Sequence, residues 1–245
     1  ESINAAEIKK ILEDNKERLR RYVSLLVKAN ELARLTGPSD EETLWRAHVA
    51  DCASAVPLLP ERGAVIDVGT GGGLPGIVWA VCRPGLRVTL LDSITRKCAL
   101  VDKIAAAMGL ANVSVVCSRS EDYAKKQAEK FDAAAARAVC SAGVLAEYLT
   151  PFVKRGGRLL AFKGPKAAEE LAPAAGKWKS LGLSEPRLVS YALEDMERCV
   201  AVWDKVAPTR KGIPRRAGMA EKFPWYLANA KKKSKIRASG GRAPR

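Results

Sequence analysis

The chain has 245 residues, enough for a full core in one large domain plus an appendage, and its hydrophobic fraction of 47% excludes wholesale disorder. No apolar run reaches membrane-spanning length, the first residues ESINAAEIKK carry no apolar signal region, and six scattered cysteines with neither a C-x-x-C nor a close Cys/His group speak against a zinc site or a disulfide scaffold. The formal charge is +15, and from Lys205 to Arg245 there are 13 Lys and Arg against one acid, Glu221, so that +12 of the excess sits in the last sixth. Such asymmetry points to a polyanionic partner.

Residues 1–60 read as helical. Ile8, Ile11, Leu12, Leu19, Tyr22, Val23, Leu26 and Val27 fall at three- and four-residue spacing. The stretch TGPSD interrupts the pattern, Ser39 or Asp40 can cap a second helix through Leu44, Val49 and Ala53, and Pro57 and Pro60 end it. From residue 61 to 207, short apolar runs alternate with amphipathic stretches. AVIDV, RVTLLD, VSVVCS, FDAAAA, GGRLLAFKG, EPRLVSYAL and RCVAVWDKVA read as seven strands, with helices between all but the last two. This predicts an α/β fold: a mostly parallel sheet with an antiparallel strand at one edge. The span KAAEELAPAAGKWKSLG reads as one helix, and residues 208–245, rich in Gly, Pro and cations, read as an extended basic arm.

The chemistry concentrates in VIDVGTGGGLPG, residues 65–76, between the first strand and its helix. Gly71, Gly73 and Gly76 match G-x-G-x-x-G, a pattern that is weak alone. Asp92 ends the second strand, where a carboxylate can accept from both ribose hydroxyls of an adenosine. It does not separate NAD from S-adenosylmethionine. Asp67 does help, because a carboxylate beside the loop repels a pyrophosphate but suits an ammonium and a sulfonium. The residues therefore favour S-adenosylmethionine, with a nicotinamide cofactor as the alternative. A ligand-free tight turn accounts for one or two glycines, but not for five with two acids.

DVGTGGGLPGI, LLDS, SRSED, RAV after the fourth strand and GGRLLAFKG, in that order and spacing, resemble the glucose-inhibited division protein B family. The resemblance covers about residues 5–207 and includes AHVADC at the place of the family's H-x-x-D-S. It implies a Rossmann-like class I methyltransferase fold with an N-terminal helical segment, S-adenosylmethionine as cofactor, and N7-methylation of guanosine in bacterial small-subunit ribosomal RNA. It also implies cofactor contacts at Gly69, Leu74, Ser120, Glu121 and Arg137, to which the loop argument adds Asp67, Gly71 and Asp92. RLT (Arg34–Thr36) stands where the family has N-L-T, and Cys52 where it has serine. RRAGMAEKFP resembles an R-K-x-G-x-x-x-K-x-P element found in some members.

No Asn/Asp-Pro-Pro-aromatic motif follows the fourth strand, where FDAAAARAV stands, and Cys140 is a single thiol. Guanine N7 offers a lone pair and has no proton to remove, so no general base is expected, and Arg137 is a candidate for positioning substrate. The alternatives are a methyltransferase for a small molecule or protein, and a non-catalytic RNA-binding assembly protein. His48 and Asp51 read as a helix-surface or inter-helix pair, Arg137 equally as an ion-pair partner of Asp132 or Asp67, and Lys163 as a solvated strand end. Either Trp225 and Tyr226 stack on bases, or Phe223 and Trp225 pack back on the core. The expected partner is small-subunit ribosomal RNA or its particle, contacted by an arm from Lys205 to Arg245, of which residues 208–245 are expected to be dispensable for cofactor binding. A cytoplasmic monomer is expected.

Overall fold

The computed structural model describes residues 1–37, 40–137, 139–193 and 196–227. All seven expected strands form: β1 (Gly63–Val68), β2 (Leu86–Asp92), β3 (Val113–Cys117), β4 (Phe131–Arg137), β5 (Val153–Lys163), β6 (Arg187–Leu193) and β7 (Met196–Asp204). They make one sheet in the order β3-β2-β1-β4-β5-β7-β6. Strands β1 to β5 pair in parallel, and β7 runs antiparallel to both β5 and β6. The antiparallel strand therefore lies one in from the rim, with β6 outside it.

The ten α-helices of the described residues are α1 (Ala5–Asp14), α2 (Lys16–Leu32), α3 (Glu41–Leu44), α4 (Ala50–Ser54), α5 (Gly76–Cys82), α6 (Thr95–Ala107), α7 (Ser120–Lys126), α8 (Ala142–Leu149), α9 (Ala167–Leu171) and α10 (Met219–Lys222). The first apolar stripe breaks into two helices at Asn15, whose amide donates back to the carbonyl of Ile11. Asp40 caps α3 by accepting from Thr43 N–H at 2.8 Å, and Ser39, the other candidate, lies outside the described residues. A single π-turn, Trp45–Val49, joins α3 to α4 and carries His48. The helix expected over residues 166–182 stops at Leu171 and continues as short 3-10 turns, because Pro173 and Gly176 cannot sustain it.

The sheet is buried on both faces, and the alternation along β4 shows how. Ala133 and Ala135 join the core under α1, α2, α4, α5 and α6, while Ala134 and Ala136 join the core under α8 and α9. The N-terminal helices thus share one core with α5 and α6 on that face of the sheet. Residues 208–227 do not extend away as an arm. Ile213, Trp225 and Tyr226 pack on the second core, and Trp225 meets Trp178 with ring centroids 5.4 Å apart.

Lys205 corrects the sequence expectation most directly. It was assigned to the RNA-contacting arm, yet it is 1% exposed. Its Nζ donates to the carbonyl and hydroxyl of Thr150 at 2.8 and 3.0 Å and pairs with Glu129 at 3.4 Å. Burial draws its pKa below the ordinary lysine value. Lys205→Met leaves the Thr150 carbonyl and Glu129 without their cation, and we expect a loss of about 2–3 kcal/mol in urea unfolding. RNA affinity measured at a temperature where the variant is folded should not change.

Candidate cofactor and substrate site

The glycine loop leaves β1 at the point where neighbouring strands run off in opposite directions, β2 to one side and β4 to the other. Open α/β sheets form their ligand crevice there, outside the carboxyl ends of the strands. Asp67 organises the loop from beneath. It is fully buried, and its Oδ2 accepts from the Thr70 hydroxyl at 2.7 Å and from Gly76 N–H at 2.9 Å. The other oxygen, Oδ1, is buried with no hydrogen-bond partner. Half of the carboxylate is thus occupied in folding the loop, and half is an unsatisfied acceptor below it. Burial pushes the Asp67 carboxyl up to about 6, with its two hydrogen bonds pulling the other way.

Asp92 meets the loop from the side. Its Oδ2 accepts from Gly71 N–H at 3.1 Å and its Oδ1 from Ile94 N–H at 3.0 Å, which fixes the carboxylate while leaving lone pairs for a ligand. The loop also approaches the protein itself. The Tyr22 hydroxyl donates to the Gly72 carbonyl at 2.9 Å, and a Cβ on Gly72 would fall 2.7 Å from Leu26 Cδ1. Any larger side chain at that position would have to displace the Leu26 side chain of helix α2.

Above the loop lies a cavity of about 220 Å³ lined by Gly69, Asp92, Ser120 and Glu121 among others. Four of the eight expected contacts therefore converge. Ser120 Oγ donates to Glu121 Oε2 at 3.1 Å, and Glu121 is largely buried. Asp67, Gly71 and Leu74 do not line this cavity; Gly71 contributes the N–H that holds Asp92, and Leu74 is buried in the core. The far wall was not foreseen: Tyr148 of α8 and, from the C-terminal segment, Gly218 and Glu221. A larger cavity, about 500 Å³, opens against β6 beside Tyr191, Arg198 and Cys199, with no residue of the glycine loop in its lining.

Arg137 does not line the cofactor cavity. At the end of β4 its guanidinium donates to Asp51 Oδ2 at 3.3 Å and to His48 Nδ1, rather than to Asp132 or Asp67. Asp51, 6% exposed, also accepts from the Tyr191 hydroxyl at 2.6 Å. Burial, aided by Arg137 and Arg198, lowers the His48 imidazole to about 4, so it is neutral near pH 7 and accepts through Nδ1. Burial and the Asp51 carboxylate both raise the Tyr191 hydroxyl. The sequence signal for Asp51 was an acid between apolar helix positions, which the surface-pair reading passed over. Lys163 is not a solvated strand end either: it donates to the Cys140 carbonyl at 3.0 Å and to Glu170 at 2.9 Å.

A seven-strand sheet with a glycine loop after β1 and an acid closing β2 defines the class I methyltransferase fold. Solved structures agree on that fold: the cofactor-bound protein Rv0187 from MTB matches 75% of this chain and 89% of its own with a TM-score of 0.55 at 18% identity, and the predicted O-methyltransferase Atu636 from Agrobacterium tumefaciens matches 62% and 79% with a TM-score of 0.52 at 17% identity. Residues 15–198 match the family model GidB, rRNA small subunit methyltransferase G, and the chain belongs to that family. Among curated relatives, ribosomal RNA small subunit methyltransferase G of Clostridium perfringens is 35% identical over 86% of this chain and 91% of its own length. That of Symbiobacterium thermophilum is 37% identical over 83% and 87%.

The Asp67 environment has a measurable pH signature. A carboxyl that holds its proton more tightly folded than unfolded contributes stability at low pH, and this is lost as pH rises from about 4 to about 6. His48, lowered when folded, contributes in the opposite sense across an overlapping window, so a variant difference is needed to isolate Asp67. We expect Asp67→Asn, which retains an acceptor oxygen but does not ionise, to gain on wild type by up to about 3 kcal/mol between pH 4 and 7. Urea unfolding at the two pH values measures it. A difference that does not vary with pH would mean Asp67 titrates normally.

Proposed function

We propose that this protein transfers a methyl group from S-adenosylmethionine to N7 of a guanine in the RNA of the small ribosomal subunit. The observation that carries the reading is the convergence of Gly69, Asp92, Ser120 and Glu121 on one cavity at the carboxyl ends of β1 to β3, in a chain of this family. The relatives' printed name supplies the class of RNA. When bound, S-adenosylmethionine supplies an electrophilic methyl on a sulfonium.

The residues present fit that group. Asp92, fixed by two loop N–H groups, takes the ribose hydroxyls, and Glu121 and Ser120 take the adenine side. The unpartnered Asp67 Oδ1 beneath the loop and the acids around the cavity favour a cationic ligand over a pyrophosphate. Arg137 sits at the end of the neighbouring strand, held by Asp51 and His48, where it orients the base that receives the methyl. Neither His48 nor the Cys140 thiol, which burial pushes up to about 12, is a base poised near neutrality. Guanine N7 needs none; alignment and proximity supply the rate, on the order of 7–11 kcal/mol in favourable cases. A monomer acting in the bacterial cytoplasm completes the reading.

Purified protein, S-adenosylmethionine and small-subunit RNA or particles should yield 7-methylguanosine on mass-spectrometric nucleoside analysis. A different methylated nucleoside, or methylation of protein or small molecules alone, would replace the reading. Asp92→Ala should weaken S-adenosylmethionine by about 1.5–3 kcal/mol in calorimetry. The single-turnover rate should be nearly flat between mildly acidic and mildly basic pH, and His48→Ala should alter substrate affinity more than that profile. A bell-shaped profile that vanishes in His48→Ala would place a general base where none is expected.

A further inference from the structure

The chain after β7 is anchored along helix α8. Thr209 N–H donates to Glu129 at 2.6 Å. Further on, the Arg215 guanidinium makes two bonds to Glu147 at 2.7 and 2.6 Å, with the Glu147 side chain 1% exposed. Beyond α10, the Trp225 indole donates to the Gly143 carbonyl at 2.7 Å. Gly143 has no room for a side chain, since a Cβ would fall 2.3 Å from Tyr226 Cε1. Between these anchors Ala220 is buried, and Gly218 and Glu221 face the cofactor cavity. The hydroxyl of Tyr148, which also lines the cavity, donates to Glu221 Oε1 at 3.4 Å.

The charges lining the cavity are unequal. Asp92, Glu121 and Glu221 bring three carboxylates, and Arg119 one cation. S-adenosylmethionine carries one more positive charge than the thioether left after methyl transfer, so a nearby acid favours donor over product.

We propose that residues 208–227 form a strap that completes the cofactor pocket, and that its Glu221 is a binding residue favouring the cationic methyl donor over the neutral thioether product. The proposal rests on the cofactor reading above, and it reverses the expectation that residues 208–245 are dispensable for cofactor binding. Isothermal titration calorimetry of the full chain with S-adenosylmethionine and with S-adenosylhomocysteine tests it. Glu221→Gln changes one exposed side chain and should weaken the methyl donor roughly three- to fivefold, and the thioether less, at low salt. A chain ending at residue 207, shown folded by circular dichroism, should lose about tenfold or more toward both ligands, because Gly218 and α10 are gone. If the truncated chain does not fold, Glu221→Gln decides. Unchanged affinities in Glu221→Gln, or a folded truncated chain that binds like the full one, would overturn the proposal. A full-length chain that binds neither ligand would overturn the cofactor reading itself.

Discussion

The site depends on one buried carboxylate. Asp67 ends a strand whose neighbours are apolar, and placing an acid there costs enough to raise its pKa to about 6. In return Oδ2 ties Thr70 to Gly76 and closes the loop on the start of α5. With that closure in place, Gly71 N–H points at Asp92 and the Gly72 carbonyl at Tyr22. Strand β2 and helix α2 are thereby registered on the same few backbone atoms. An apolar residue at position 67 would be easier to bury, but neither Thr70 nor Gly76 would then be tied to the strand.

This changes what the glycines mean. Five among the eight residues 69–76 suggest a ligand pressed against bare backbone, yet over Gly72 lies Leu26, and its carbonyl takes the Tyr22 hydroxyl. The seven strands were legible because each is a short apolar run, and Asp92 because it closes the second of them; Gly69, Ser120 and Glu121 came from the family resemblance. Leu74 and Arg137 were legible only as family positions. The roles of Asp51, Lys205 and Arg215 were not legible, since each depends on a partner far along the chain: Tyr191 and Arg137, Glu129 and Thr150, and Glu147. Local pattern reads a cation among Gly and Pro as solvated. Only the tertiary fold shows that Lys205 and Arg215 are buried or half-buried pins.

The two ends of the molecule meet the sheet in related ways. At the N-terminal side, Asp51 links Tyr191 of β6 to Arg137 of β4, so that the helical region reaches across the strands to the carboxyl end of β4. His48 remains neutral because burial, helped by Arg137 and Arg198, disfavours a further cation, and neutrality is what lets Nδ1 accept from Arg137. A protonated His48 would repel Arg137 and release it from its fixed orientation. The departures from the family pattern at Arg34–Thr36 and Cys52 fall in this N-terminal region. Cys52 is buried, and its carbonyl takes the Trp79 indole N–H at 2.9 Å. The backbone at that position ties α4 to α5 whichever small side chain is present.

Charge sorts the two ligands of the proposed reaction. The acids of the cofactor cavity, Asp92, Glu121 and Glu221, repel phosphate and attract the sulfonium, while the strap that supplies Glu221 carries Arg210, Lys211, Arg216 and Lys222 on its exposed side. The remaining seven cations of the C-terminal tail, Lys231 to Arg245, lie outside the described residues. One segment therefore brings an acid to the cavity lining with exposed cations close by in the chain. For the proposed substrate this keeps the RNA backbone on the outer surface, where its phosphates find counter-charge, and lets only a base approach the methyl donor. The +15 of the whole chain conceals this division, because it averages an acidic cleft with a basic rim.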